Sequence, residues 1–111
     1  MTDRLVTEVR RDGRAGIIDL IGDLDGDAGA ALPTAYEQAA DGADRVILNF
    51  ARMGFMNSSG IALVVELLGR ARSAGLSVHA IGLSEHYSRI FEITRLSDFM
   101  TIHADEASAV A

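Results

Sequence analysis

The sequence predicts an α/β fold with a mixed β-sheet and the element order β-β-α-β-α-β-α-β-α. Two observations carry that prediction. A turn signal, Asp12-Gly13, separates two apolar runs at the start of the chain, and strand-like and helix-like periodicities alternate after it. A hairpin followed by alternating strands and helices requires parallel pairs joined by right-handed crossovers. The 111 residues show no repeat, linker or low-complexity segment, so they read as one domain spanning 1–111. That length supports a hydrophobic core without help from metal or disulfide.

In order, Leu5 to Arg10 alternates and Ala15 to Ile21 is a denser apolar run, predicting an antiparallel pair across Arg11-Asp12-Gly13-Arg14. Asp23-Leu24-Asp25-Gly26-Asp27 places three acids at alternate positions. It is not an EF-hand loop, because the sixth and twelfth positions hold Ala28 and Thr34 instead of glycine and glutamate. It reads as a turn with a helix cap at Asp27, or as an acidic surface loop. Ala28 to Ala40 carries Leu32, Tyr36 and Ala39 at helical spacing; Pro33 suits a first turn, so the regular helix is expected from about Leu32 and ends at Asp41-Gly42.

Val46 to Phe50 is a buried strand, and Ala51 to Met56 a short connection. The next helix places Ile61, Val64, Val65 and Leu68 on one buried face, with Leu63 and Leu67 off it. That extra pair packs on flanking helices or forms a hydrophobic patch for a partner protein. Gly75 stops the helix and Leu76 to Ile81 is a strand. Ser84 caps a helix with Tyr87, Ile90, Phe91 and Thr94 on one face, then come a strand Met100 to His103 and a small helix from Asp105.

Asn57-Ser58-Ser59-Gly60 is the chemically pointed stretch, because it lies at the mouth of a helix. A helix N-terminus carries unpaired N–H groups and the positive pole of the dipole, so it accepts a hydroxyl, carboxylate or phosphate. One reading is capping by Asn57 or Ser58; the other is a phosphoacceptor.

Phe55-Met56-Asn57-Ser58-Ser59-Gly60-Ile61 resembles the phosphorylation segment of bacterial anti-sigma factor antagonists, small proteins built as a single STAS domain. Gly22-Asp23-Leu24-Asp25 resembles that family's Gly-Glu-Leu-Asp loop, and Arg89 to Leu96 its penultimate helix and exit. The three blocks occur in the family's order and span most of the chain, from about residue 5 to about residue 103. The resemblance implies an STAS-like mixed sheet with helices mainly on one face. It implies that Ser58, or less readily Ser59, takes a phosphate from a serine kinase that doubles as the anti-sigma factor, and that a serine phosphatase resets the switch. Asp23, Asp25, Asn57, Ser58, Ser59, Gly60, Leu63 and Leu67 are then expected on one partner-binding surface, since both segments leave strands at the same end of the sheet. Asn57 departs from the family's usual aspartate: it keeps the turn chemistry and removes a charge. The competing expectation is a non-phosphorylated STAS adaptor that regulates a transporter or another signalling complex.

Other chemistries find little support. There is no cysteine, which removes thiol catalysis and zinc-thiolate sites and fits a reducing cytoplasm. The net charge of −6 and the absence of a basic run argue against nucleic acid. The first residues lack a signal-peptide pattern, and Ile61 to Leu68 is interrupted by Glu66, so membrane insertion is not expected. Met56 and Asn57 stand where a Gly-x-Ser-x-Gly nucleophile elbow needs glycine, and no Gly-rich phosphate loop is present. His79, His86 and His103 lack metal-ligand spacing and read as ordinary core or surface histidines. The chain is expected to be a binding protein without cofactor or metal, and not an enzyme.

Overall fold

The computed structural model describes residues 4–111. Five strands, β1 (Val6–Asp12), β2 (Ala15–Leu24), β3 (Arg45–Met56), β4 (Ser77–Ile81) and β5 (Thr101–Ile102), form one sheet in sequence order. The β1/β2 pair is antiparallel and the rest are parallel. Helices α1 (Ala31–Ala40), α2 (Ser58–Ser73) and α3 (Glu85–Ile93) are the crossovers, and α4 (Glu106–Val110) ends the chain. Because each strand is added on the same side of the last, right-handed crossovers place all three connecting helices on one face. Their buried residues, including Leu32, Tyr36, Val64, Leu68 and Phe91, share a core with Ile18, Leu20, Val46, Leu48, Val78 and Ala80. The alternate residues Ile17, Ile47 and Ile81 point the other way and are covered by Ala109 of α4. Consecutive strand residues thus face two apolar layers, which explains the unbroken run Val46-Ile47-Leu48.

The hairpin turns at Gly13 and Arg14, not across Asp12 and Gly13. Asp12 pairs with Ala15, and only Gly13 adopts a positive φ, of 58°. Ala51 to Met56 is strand and not a connection, because β2 runs on to Leu24 and keeps pairing: Ile21 with Arg52, Gly22 with Met53 and Leu24 with Met56. Two irregularities, each with one extra residue on β3, let a polar, glycine-containing segment stay in the sheet. Asn49 supports the first by accepting the Ala51 N–H at 3.1 Å.

The buried face of α2 is rotated from expectation. Gly60, Val64, Leu67, Leu68 and Ala71 are inside, whereas Val65 is 48% exposed. The stripe i, i+4, i+7, i+8, i+11 begins and ends on the small residues Gly60 and Ala71, which weigh less in an apolar pattern than Ile61 and Val65, so the pattern alone centres the face elsewhere. Leu67 is therefore core, 3% exposed, and does not belong to a partner surface; Leu63 is half-buried and packs on the same core. Gly75 (φ 75°) closes α2, with Leu76 N–H donating to Ala71 O and Gly75 N–H to Arg72 O.

On the outer face, Asp19 is the buried charged residue. Arg10 donates to it from Nε at 2.6 Å and Nη2 at 2.9 Å, and Asn49 Nδ2 donates at 2.8 Å. Arg10 also reaches Glu106 and so ties α4 to the hairpin. The Arg10 guanidinium holds the Asp19 carboxyl below the usual carboxylate range, against the opposing effect of burial. Because the folded value is depressed, this stabilisation is present above the unfolded carboxylate range and is lost as pH falls through the folded value. Arg10→Ala should cost about 1–3 kcal/mol, less than a fully buried pair because Arg10 is 41% exposed. Chemical denaturation at pH 7 and pH 3 checks this: the gap between parent and variant should shrink at the lower pH.

Candidate functional site

The site sits where β2 and β3 end side by side. They are parallel, so Leu24 pairs with Met56 and the residues after each emerge at the same end of the sheet. After β2, Asp25 caps a 3-10 turn, Gly26–Gly29, its Oδ1 accepting the Asp27 N–H at 3.0 Å. The cap is thus Asp25, not Asp27. After β3, Asn57 caps α2, its Oδ1 accepting the Gly60 N–H at 3.0 Å. Ser58 and Ser59 occupy the first two helical positions and are both exposed.

Two glycines bring the segments together. A Cβ on Gly60 would stand 1.9 Å from Leu24 O, so the start of α2 lies directly against the β2 backbone. A Cβ on Gly26 would lie 3.8 Å from Ser59 Cβ, which puts the acidic turn in near contact with the second serine. Asn57 N–H donates to Leu24 O at 3.4 Å and closes the junction. Of the residues expected at this surface, Asp25, Asn57, Ser58, Ser59 and Gly60 come together here. Asp23 is half-buried one residue inside the strand, its carboxylate lying over Gly54. Leu67 is excluded by burial, as above.

The serine hydroxyls form no hydrogen bond among the described residues. Asn57 uses its oxygen for the cap and is half-buried. The surface here is a ledge with two free hydroxyls, an amide and an acidic turn; it is not a cavity. Cavities lie elsewhere, between α2 and the β4/β5 side and between α1 and α2. Among the described residues no three His, Asp or Glu are grouped as metal ligands, and no helix is long and apolar enough to cross a membrane.

Sequence reasoning missed Phe55. It is 51% exposed two residues before the cap, because β3 persists to Met56 and alternation turns Phe55 out when Met56 turns in. Reading 51–56 as a connection hid that alternation. Beneath the ledge, Met56 N–H donates to the Tyr87 hydroxyl at 2.9 Å, which couples α3 to the end of β3.

Comparisons with known proteins agree with this architecture. The family described as "Mlab, STAS domain" matches residues 7–102. An anti-sigma-B factor antagonist of Staphylococcus epidermidis is 33% identical over 70 residues, which is 63% of this chain and 63% of that protein. The alignment therefore spans less than two thirds of that relative. Among solved structures, an anti-sigma factor antagonist from Mycobacterium paratuberculosis superposes with a TM-score of 0.75 at 18% identity, over 96% of this chain and 91% of the other. The Bacillus cell fate determinant SpoIIAA, in its phosphorylated form, superposes with a TM-score of 0.67 at 24% identity, over 94% and 96%. With the sheet order, the helices on one face and the ledge at the end of β2 and β3, these matches establish that the chain belongs to the STAS domain family and is similar to its anti-sigma factor antagonists.

Proposed function

We propose that the protein is an anti-sigma factor antagonist that works as a binding switch and not as an enzyme. Unmodified, it sequesters an anti-sigma factor serine kinase and so frees a sigma factor for transcription; phosphorylated on Ser58, it releases that kinase, and a serine phosphatase restores it. The observation that carries the reading is that the exposed serine pair, with its unbonded Ser58 hydroxyl, shares one ledge with the acidic turn, which Gly26 brings beside Ser59. A kinase reaching Ser58 must cover Asp25, Asn57 and Phe55 as well, so modification and binding share a surface. A phosphorylated form is known for the structural neighbour SpoIIAA, in keeping with a switch of this kind. Nothing in this reading asks the chain for a cofactor, a metal, nucleic acid or a membrane, and it places the protein in the cytoplasm.

Ser58 is preferred to Ser59 because it is the first serine of the segment that resembles the phosphorylation segment of the anti-sigma factor antagonists, whereas Ser59 is the one that lies beside Gly26 of the acidic turn. The test is mass spectrometry of the protein purified from its own cells, before and after phosphatase. The expected result is a phosphatase-sensitive gain of one phosphate on the Ser58 peptide. Absence of phosphate under every growth condition in which the partner kinase is present supports the second reading.

That second reading, a constitutive STAS adaptor for a transporter or signalling complex, is favoured by one observation: the cap is the uncharged Asn57. Both readings use the ledge, and Phe55 is its natural anchor, since exposed aromatics at an interface centre carry much of the binding energy. Phe55→Ala should weaken partner binding by about 10-fold to 100-fold while changing stability little, because the ring is already half in water. Titration calorimetry and thermal denaturation of the same preparation check both halves.

A further inference from the structure

On the face opposite α1, α2 and α3, two of the three histidines meet. His79 stands on β4 between Ile47 of β3 and Thr101 of β5. Its Nδ1 lies 2.8 Å from Nε2 of His103, and its Nε2 lies 3.0 Å from Ser77 Oγ. The rings are 5.0 Å apart and tilted by 31°. They are separated by 24 residues, and no local spacing foretold the pair.

At this distance the two facing nitrogens share one proton: one donates and the other accepts. A first added proton goes to an outer nitrogen and leaves the bond intact. A second makes both rings cations with two N–H groups head to head, and the bond cannot persist. The surroundings do not offset that charge fully. From β3, Arg45 opposes it and Asp44 favours it; Ser77 of β4 is neutral; from the start of α4, Asp105 interacts with His103. Burial first, then His103 and Arg45, hold His79 below the ordinary histidine range.

The pair is joined to α4 by a short path. His103 N–H donates to Ala80 O at 2.8 Å, and two residues later Asp105 caps α4 by accepting the Ser108 N–H at 2.9 Å. Arg45, which also faces His79, donates to the carbonyls of Ala109, Val110 and Ala111 at 3.1–3.2 Å. One cation therefore holds the end of α4 while standing beside the site where two more would form. Under α4 lie Ile17, Ile47 and Ile81, each at most 5% exposed.

We propose that the His79–His103 pair is an acid-sensitive latch for α4: double protonation parts the rings, releases the segment from His103 onward and uncovers the apolar outer face of the sheet at Ile17, Ile47 and Ile81. This does not depend on the partner-switch reading. The sign follows from linkage. The folded protein holds His79 below the ordinary histidine range, so the paired, latched state is at full strength above that range and is lost as pH falls below about 6.5. Within that window one extra proton in the undocked state shifts its population by up to about tenfold per pH unit. Asp105 and Glu106 are both held below the usual carboxylate range and stay ionised there.

Amide hydrogen exchange from pH 7.5 to 5.0, corrected for intrinsic rates, tests the latch. In the parent, the opening constants of the Ala109 and Ala111 amides should rise by up to about tenfold per pH unit below about 6.5, while that of Leu48 stays flat. His103→Gln and His79→Gln each keep a hydrogen-bonding side chain and remove one imidazole of the pair, so α4 opening should flatten in both. A parent profile without pH dependence, or one equally steep in both variants, overturns the proposal. If either variant fails to fold, the imidazole nitrogen shifts of the parent decide it. Two separated titration steps, the second coincident with α4 opening, support the latch, and two cationic rings beneath a protected α4 contradict it.

Discussion

Replacing Gly60 by alanine should destabilise the domain by about 3 kcal/mol or more, the largest stability effect expected of a single methyl group near the site. The added Cβ would stand 1.9 Å from Leu24 O and 2.7 Å from Leu24 C, and both are backbone atoms of a buried strand that cannot swing away. Relief requires α2 to lift from the end of β2, which strains the cap that Asn57 makes with Gly60 N–H and loosens the packing of Val64. Alanine otherwise suits a helix better than glycine, by roughly 1 kcal/mol, so any net loss measures the clash. For a chain of this size the expected fall in Tm is roughly 10–20 °C. Gly69→Ala is the control: that glycine is on the exposed side of the same helix with nothing within 4 Å of a Cβ, and the substitution should stabilise slightly. If Gly60→Ala is as stable as the parent, the close seating of α2 on β2, and with it the ledge, is wrong.

Ser58→Glu should weaken binding to the anti-sigma factor kinase proposed as the partner by roughly 30-fold to 1000-fold, the range expected when a charge is forced into an interface without a partner. The side chain is exposed at the first helical position, where a carboxylate interacts favourably with the helix dipole by roughly 0.3–1 kcal/mol, so Tm should hold or rise a little. The effect on binding comes from the surface, where the new charge joins the acidic turn at Asp25 against a partner fitted to a neutral hydroxyl. A phosphate, with about −1.5 to −2 charges, should act in the same direction and more strongly. Ser58→Ala should keep binding and abolish modification. Competition binding with parent, Ser58→Ala and Ser58→Glu protein checks all three; unchanged affinity for Ser58→Glu would remove the switch and leave the adaptor.

Much of this arrangement was legible from the residues alone, and the failures share a cause. Local chemistry announced itself: Gly13 marked the hairpin, Asn57 and Ser84 the starts of α2 and α3, Asp105 that of α4, and Gly75 the end of α2. An unbroken apolar run located the two-sided strand at Val46 to Leu48. What stayed hidden needed a second segment to be seen. Residues 51–56 pair with β2 only because two irregularities absorb the extra residues, and neither leaves a sequence pattern. Leu67 is inside because Gly60 and Ala71, which weigh less in an apolar pattern than Ile61 and Val65, set the centre of the α2 stripe. Phe55 is outside because of the same strand extension. At the site, the serine pair and a cap at Asn57 or Ser58 were readable, whereas the contact between Gly26 and Ser59 belongs to the parallel register of β2 and β3.

The central claim is that the acidic turn and the first turn of α2 are one partner surface. Hydrogen exchange on the unmodified protein, alone and saturated with the anti-sigma factor kinase proposed as its partner, tests it most directly. The account predicts new protection in the 25–29 turn and across 55–61, with α4 and the outer face of the sheet unchanged. Protection confined to α4 or to the grooves beside the C-terminal half of α2, with 25–29 and 55–61 exchanging as in the free protein, would contradict it.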